Sequence, residues 1–105
     1  MSTHYLIRLE ADDSAVLAQI QDECGLVDNL LIPDATVNRG LARHIDPYGT
    51  TTFNGAQSET LLDECQSISS LTSLSIEQRF VLNELLGLFR RAATEVHLRV
   101  SFLGD

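Results

Sequence analysis

Twelve residues near the middle of the chain concentrate most of the side chains that could bind a ligand or a partner. The segment 46–57, DPYGTTTFNGAQ, supplies carboxylate, phenol and amide groups at Asp46, Tyr48, Asn54 and Gln57. Its turn residues predict a loop, and loops carry binding groups more often than the elements they connect. The alternative, which the composition favours, is that these side chains satisfy backbone groups of an ordered loop.

Histidine and cysteine are the other residue types that commonly carry chemistry. His4, His44 and His97 show neither the i, i+4 spacing of a helical zinc site nor a neighbouring CxxC pair. Cys24 and Cys65 fall on apolar stripes, where a free cysteine acts as a small hydrophobic residue. No Gly-x-Ser-x-Gly motif is present. The sequence therefore predicts no catalytic residue, no cofactor and no metal site.

Acidic residues dominate the charge of the chain. The chain has fifteen acidic residues, seven arginines and no lysine, which gives a net charge of −8. Such a balance excludes nucleic-acid binding, because phosphate recognition needs a basic surface. Seven acids and no base lie between Glu10 and Asp34, and they form either a solvated face or a surface for a basic protein. On the second interpretation the partner-binding surface combines these acids with the 46–57 loop. Its residues are Asp12, Asp13, Asp22, Glu23, Asp28, Asp46, Tyr48, Asn54 and Gln57.

The pattern of apolar residues excludes two further classes. No apolar run approaches the ~20 residues that a membrane-spanning helix needs. The first residues lack the basic start and apolar core of a secretory signal. Two cysteines are too few for the disulfide framework of a small secreted domain. We therefore expect a cytoplasmic protein with reduced thiols.

Periodicity in the first half predicts one strand and one helix. Residues 4–10 alternate, with Tyr5, Ile7 and Leu9 on one face, as in a strand. Residues 14–24 are predicted as a short helix, because Val16, Leu17, Ile20 and Cys24 fall at helical spacing after the N-cap candidates at 12–14. Residues 26–32 could add a short buried strand, and 50–53 are β-prone and expected to lie extended beside the sheet.

The second half predicts two helices and a closing strand. The first helix covers about 56–70 and places Leu61, Leu62, Cys65 and Ile68 on one stripe. The second runs from Ile76 to about 96, with a capping box at 75–78. Its apolar stripe is wide enough for a central core helix, and that width also fits a homodimer face. Residues 97–102 then alternate as a strand.

These elements predict a single α+β domain over residues 1–105. A small sheet formed by the N- and C-terminal strands, with room for one more strand, packs against about three helices. A terminal strand that alternates this regularly needs a pairing partner, and the N-terminal strand is the obvious one.

Two motifs resemble a group of small bacterial proteins without an assigned activity. The first is Asp46-Pro47-Tyr48-Gly49, followed by Thr52-Phe53-Asn54 and Gln57, and the second is His97 followed by the FLGD ending. Gly55 and Ser101 depart from the group, in which bulkier residues are expected. The resemblance implies a bacterial source and no particular activity.

Small size, acidity and the lack of a catalytic constellation favour an interaction protein. We expect an inhibitor of the immunity-protein or antitoxin type, not an enzyme, which occludes a basic protein partner. The alternative is a small-ligand binder or minor enzyme that uses the 46–57 loop, with Asp46, Tyr48, Asn54 and His97 as its polar groups.

Overall fold

The N- and C-terminal strands pair at the centre of a four-stranded antiparallel sheet. A computed structural model describes residues 5–23, 26–27, 44–46, 48–71 and 74–104, without the side chains of 68–71. The elements are β1 (Tyr5–Ala11), β2 (Val16–Asp22), β3 (Thr50–Phe53), α1 (Gly55–Leu71), α2 (Ile76–Thr94) and β4 (Leu98–Leu103). The strand order is β2-β1-β4-β3, and every neighbouring pair is antiparallel. The α+β class and the pairing of the terminal strands are confirmed.

The predicted helix at 14–24 is wrong, because most of that segment forms β2. A tight turn joins β1 to β2: the Ser14 N–H donates to the Ala11 carbonyl at 2.9 Å, and Ser14 takes a left-handed φ of 68°. Leu9 pairs with Ala18 while Glu10 pairs with Val16, so Leu17 is an extra residue in a β-bulge. Because of the bulge, the apolar residues Val16 and Leu17 are adjacent and precede Ile20. This spacing resembles that of an amphipathic helix.

The correction changes the number of helices as well. The described residues contain two long helices where about three were expected. Leu26 and Val27 are buried and helical in conformation, so they do not begin the suggested strand. Residues 28–32 lie outside the described part of the chain. Thr50–Phe53, by contrast, pairs with β4 as the second edge of the sheet, which confirms the extended segment expected there.

One face of the sheet forms the core with the two helices. Ile7, Leu9, Val100 and Phe102 alternate along the two central strands and are completely buried. Phe102 contacts Phe53 edge-on, with ring centroids 5.8 Å apart, and Phe89 of α2 at 6.1 Å. Burying such side chains stabilises the fold by about 1.5–3 kcal/mol each.

Both helices begin with reciprocal capping. The Ser75 hydroxyl accepts from the Gln78 N–H, and the Gln78 side chain accepts from the Ser75 N–H, as predicted. At the start of α1, Asn54 and Gln57 exchange the same two bonds at 2.9 and 3.0 Å. Each exchange satisfies two backbone groups that a helix start leaves without partners.

Within the described ranges no helix is both long and apolar enough to cross a bilayer.

Candidate protein-binding surface

The antiparallel register brings three connections to one end of the sheet. Ala11 pairs with Leu98, and Phe53 pairs with Val100. The β1–β2 turn, the start of α1 and the connection from α2 to β4 therefore lie together. We call this surface, made of residues 12–15, 54–59 and 95–97, the turn end. The opposite end of the sheet, with residues 44–49, Glu23 and Gly104, is called the far end.

Hydrogen bonds fix the shape of the β1–β2 turn. Asp13 Oδ1 accepts from the Ala15 N–H at 3.0 Å, and Arg99 Nη2 lies 3.3 Å from Ser14 Oγ. Asp12 Oδ2 lies 2.8 Å from His97 Nδ1, and about two thirds or more of both side chains is exposed. Since this exposed pair is screened by water, it orients the two side chains more than it stabilises the fold.

A shallow depression of about 380 Å³ opens between α1 and the end of α2 at this surface. Glu59 and Glu95 line it, together with Val96, which is 79% exposed, and His97. The α2 carbonyls at its wall carry the negative end of the helix dipole. Arg91 compensates one carboxylate, through a 3.0 Å pair with Glu95. The depression therefore suits a cationic side chain flanked by apolar contact.

Asn54 and Gln57 lie at the turn end, where their main observed role is structural. Their side-chain oxygens accept the two reciprocal bonds that begin α1. Gly55, the next residue, allows α1 to start against α2, since a Cβ there would lie 2.8 Å from the Ala92 carbonyl oxygen. This close approach explains why a bulkier residue is absent from position 55.

Asp46 and Tyr48 lie at the far end. Asp46 accepts from the Tyr48 N–H at 2.9 Å, and its own N–H donates to Thr51 Oγ1 at 2.8 Å. The Gly49 N–H lies 3.4 Å from the Asp46 carbonyl oxygen, which closes the predicted turn around Pro47, a residue outside the description. Ile45 and Phe53 are buried and anchor this segment, whereas Tyr48 is 83% exposed.

The four polar residues of the small-ligand alternative do not lie together; they are Asp46, Tyr48, Asn54 and His97. β3 runs between Tyr48 and Asn54, and its four residues span about 13 Å. Asp46 and Tyr48 are consequently at the opposite end of the sheet from Asn54 and His97. The pocket required by the small-ligand alternative is not formed by these four side chains.

Asp22 is the clearest correction to the predicted partner-binding residues. It is fully buried, with Oδ1 accepting from the Leu26 N–H at 3.0 Å and Oδ2 from the Val27 N–H at 2.7 Å. The cause is β2, which turns Asp22 to the inner face opposite Tyr5. Glu23 is exposed at the far end, about 23 Å along β2 from Asp13. Asp28 lies outside the described residues.

Ser101, the second position at which a bulkier residue was expected, belongs to a polar network on the outer sheet face. Its hydroxyl donates to Glu10 Oε1 at 2.6 Å and lies 2.9 Å from Thr52 Oγ1. Arg99 Nε is 3.4 Å from the same Glu10 oxygen. A bulkier side chain at position 101 would break the link between β1, β4 and β3.

Cys65 is chemically inert. Burial, and secondly the charge of Glu64, raise the pKa of its thiol from 9.0 to about 12. The thiol therefore stays protonated at neutral pH, and the thiolate is the nucleophilic form. Cys24 is outside the description. Across the described ranges, no three His, Cys, Asp or Glu side chains gather as metal ligands would.

Sequence reasoning missed Glu59, Glu95 and Val96 as parts of the acidic surface. Glu59 and Glu95 are 36 positions apart in the chain, and only the close approach of α1 to the end of α2 brings them to one depression. Val96 falls within the predicted helix that ends near residue 96, so no separate signal marks it.

No protein-family model matches the chain, and searches of curated proteins and of solved structures returned no match.

Proposed function

We propose that this chain is a protein-binding inhibitor that uses the turn end to occlude a basic partner, in the manner of an immunity protein or antitoxin. The observation that carries the proposal is the acidic composition of this surface. Glu59 and Glu95 line the depression, Asp12 contacts His97, which also lines it, and Asp13 lies in the β1–β2 turn. The basic side chains nearby are Arg91, His97 and Arg99. The proposal places the protein in the bacterial cytoplasm and gives it no catalytic role.

Occlusion requires a rigid surface and no reaction. The turn end is rigid for local reasons: a hydrogen-bonded hairpin turn, a capped helix start and the packed end of α2. A cationic side chain of the partner would enter the depression between Glu59 and Glu95 and contact exposed Val96. Acidic side chains around the rim would accelerate the encounter, since complementary charge raises association rates.

The test compares two variants of equal net charge. Asp12→Lys with Glu59→Lys reverses the turn end, whereas Glu23→Lys with Asp63→Lys reverses two exposed acids elsewhere. Each protein is immobilised and exposed to the soluble extract of the cells that produce it. Wild type and the second variant should retain one basic protein in near-equal amount, and the turn-end variant should lose it.

Association rates with the retained protein sharpen the test. The turn-end reversal should slow association about tenfold or more at low salt and less near 0.15 M, where the screening length is about 8 Å. Equal retention by all three proteins, or retention of none, would contradict the proposal.

A further inference from the structure

The strand β2 forms one edge of the sheet, and no strand within the described ranges pairs with its outer side. Alternate residues of an antiparallel edge strand point their backbone N–H and C=O groups away from the sheet, where another strand can pair with them. β2 has seven residues, whereas β3, at the opposite edge, has four. The longer edge therefore presents the longer row of open hydrogen-bonding groups.

The features that normally protect a sheet edge are scarce in β2. Its sequence, VLAQIQD, contains no proline, lysine or arginine. Its one charged residue, Asp22, is buried and accepts from the backbone of Leu26 and Val27. The bulge at Leu17 affects only the part of the strand close to the turn end, and residues 18–22 keep a regular register with β1. This regular part of β2 can pair with a further strand.

Two hollows lie alongside this edge, between β2 and α2. The first, of about 590 Å³, is near the far end and is lined by Gln21 and Glu23 on one side and by α2 residues, Phe80 among them, on the other. The second, of about 520 Å³, is nearer the turn end, and its lining includes Ala18 and Gly87. Together they follow the direction of β2. We call the space between residues 18–23 and the facing side of α2 the edge groove.

The side of the edge groove formed by α2 offers apolar contact and open space. Ile76 is 90% exposed and Phe80 is 65% exposed, although both side chains are large and apolar. A Cβ at Gly87 would meet nothing within 4 Å, so this part of the helix leaves room for the side chain of a ligand.

The net charge around the edge groove is negative. Glu23 and Glu77 line its far-end hollow, and Glu84 lines the second hollow. Two arginines also line the second hollow, but Arg91 is already paired with Glu95 at 3.0 Å, which leaves Arg90 uncompensated. The exposed Arg79 lines neither hollow. Three carboxylates therefore stand against one uncompensated arginine, and the far-end hollow contains acids alone.

We propose that the edge groove binds an extended segment of another protein, which joins the sheet as a fifth strand antiparallel to β2. Backbone hydrogen bonds to residues 18–22 hold the segment, and its alternate side chains contact Phe80 and the space at Gly87. β2 runs from the turn end to the far end, so the segment begins beside Glu23 and Glu77. Its first residues are therefore basic, and apolar residues alternate after them.

The same observations distinguish this ligand from two others. A helix in the groove would leave the open backbone groups of β2 without partners. A second copy of this chain would present its own β2, which carries no basic residue to meet Glu23 and Glu77. The edge groove is separate from the turn end, and the proposal does not depend on the inhibition of a basic partner.

Hydrogen exchange of the ¹⁵N-labelled protein, followed by NMR, tests the strand pairing. The probe is a synthetic peptide of about seven residues, two lysines followed by alternating valine and threonine. Exchange should slow at alternate amides of residues 18–22. The slowing should reach about tenfold when about nine-tenths of the protein is bound, because exchange then proceeds from the free tenth. Amides of Thr50–Phe53, at the opposite edge, should be unaffected.

N-methylated peptides separate strand pairing from contact through side chains alone. Methylation of one alternate set of peptide amides removes the donors that face β2, and methylation of the other set removes donors that face solvent. The first change should abolish the protection of residues 18–22, whereas the second should weaken binding by at most about threefold. Equal losses from the two sets would contradict pairing with the edge.

Two protein variants of equal net charge test the role of the acids. Glu23→Lys with Glu77→Lys should weaken binding of the lysine peptide about tenfold at low salt. Asp12→Lys with Glu59→Lys, at the turn end, should leave it unchanged. A peptide with two glutamates in place of the lysines should bind the first variant better than the wild type. Circular dichroism of each variant confirms that the chain is folded.

Unchanged exchange of residues 18–22 at about 1 mM lysine peptide would overturn the proposal. Protection confined to Thr50–Phe53, or equal effects of the two charge reversals, would overturn it as well.

Discussion

Phe89 and Phe80 occupy the same helix and have opposite surroundings. Phe89 is completely buried and contacts Phe102 of β4 at 6.1 Å, whereas Phe80 is 65% exposed. Two glycines repeat the contrast. Gly55 sits where a Cβ would lie 2.8 Å from the Ala92 carbonyl oxygen, and Gly87 sits where a Cβ would meet nothing.

The two inner positions are thus explained by contacts within the chain. Among the described residues, no contact accounts for the exposed Phe80 or for Gly87. The turn end differs from both, because most of its polar groups are used in local hydrogen bonds. In the proposed function, its acidic charge provides the attraction and exposed Val96 the apolar contact.

The largest difference between the two faces of α2 should appear in stability. Phe89→Ala should lower the free energy of unfolding by about 3–5 kcal/mol, through lost burial and the cavity left behind. Phe80→Ala, measured at a concentration where the protein is monomeric, should change it by less than about 1 kcal/mol. Urea unfolding measures both values, and equal losses would contradict the assignment of inner and outer faces.

The two glycines should respond to alanine with opposite signs. Gly55→Ala should destabilise the fold by about 1–3 kcal/mol, because the Ala92 carbonyl must move to admit the methyl group. Gly87→Ala should stabilise the monomer by about 0.5–1 kcal/mol, the ordinary preference for alanine inside a helix. Thermal unfolding of both variants measures the two shifts, and a destabilised Gly87→Ala variant would be inconsistent with an open position.

Secondary structure that local patterns specify could be predicted from the sequence, and structure that depends on contacts between distant residues could not. The terminal strands and both long helices were predictable, because alternation and the capping box at Ser75 and Gln78 are local signals. The β1–β2 hairpin was not, since the bulge at Leu17 breaks the alternation of β2 and leaves Val16 and Leu17 adjacent and exposed.

In the candidate site too, local patterns identify some residues, and only the fold brings the others together. Asp12 and Asp13 were identified from a run of acids and lie in an exposed turn. Asp22 belongs to the same run, but the strand turns it inward to cap the backbone at Leu26 and Val27. Glu59 and Glu95 join the surface through the approach of α1 to the end of α2. Nothing local in the sequence reports that approach.

The last expected effect concerns the interior and is absent at neutral pH. Burial raises the pKa of the Cys65 thiol to about 12, so the unfolded chain loses this proton near pH 9 while the folded chain keeps it. Between these values deprotonation favours the unfolded state, and stability should fall by up to about 1.4 kcal/mol per pH unit.

Comparison with Cys65→Ala isolates this term, because the other titrating groups are shared. The difference in unfolding free energy between wild type and variant should be constant below about pH 8 and should shrink as the pH rises above 9. A difference that stays constant to pH 10.5 would show that the thiol is not buried as described.

Amide chemical shifts provide the most direct test that the turn end is the surface for a basic partner. The ¹⁵N-labelled protein is titrated with the basic protein that it retains from the extract. The account predicts the largest changes at residues 12–15, 54–59 and 95–97, with few changes at the exposed residues Ile76 and Phe80 of α2. Changes centred on these two residues, or at Asp46, Tyr48 and Glu23 of the far end, would contradict it.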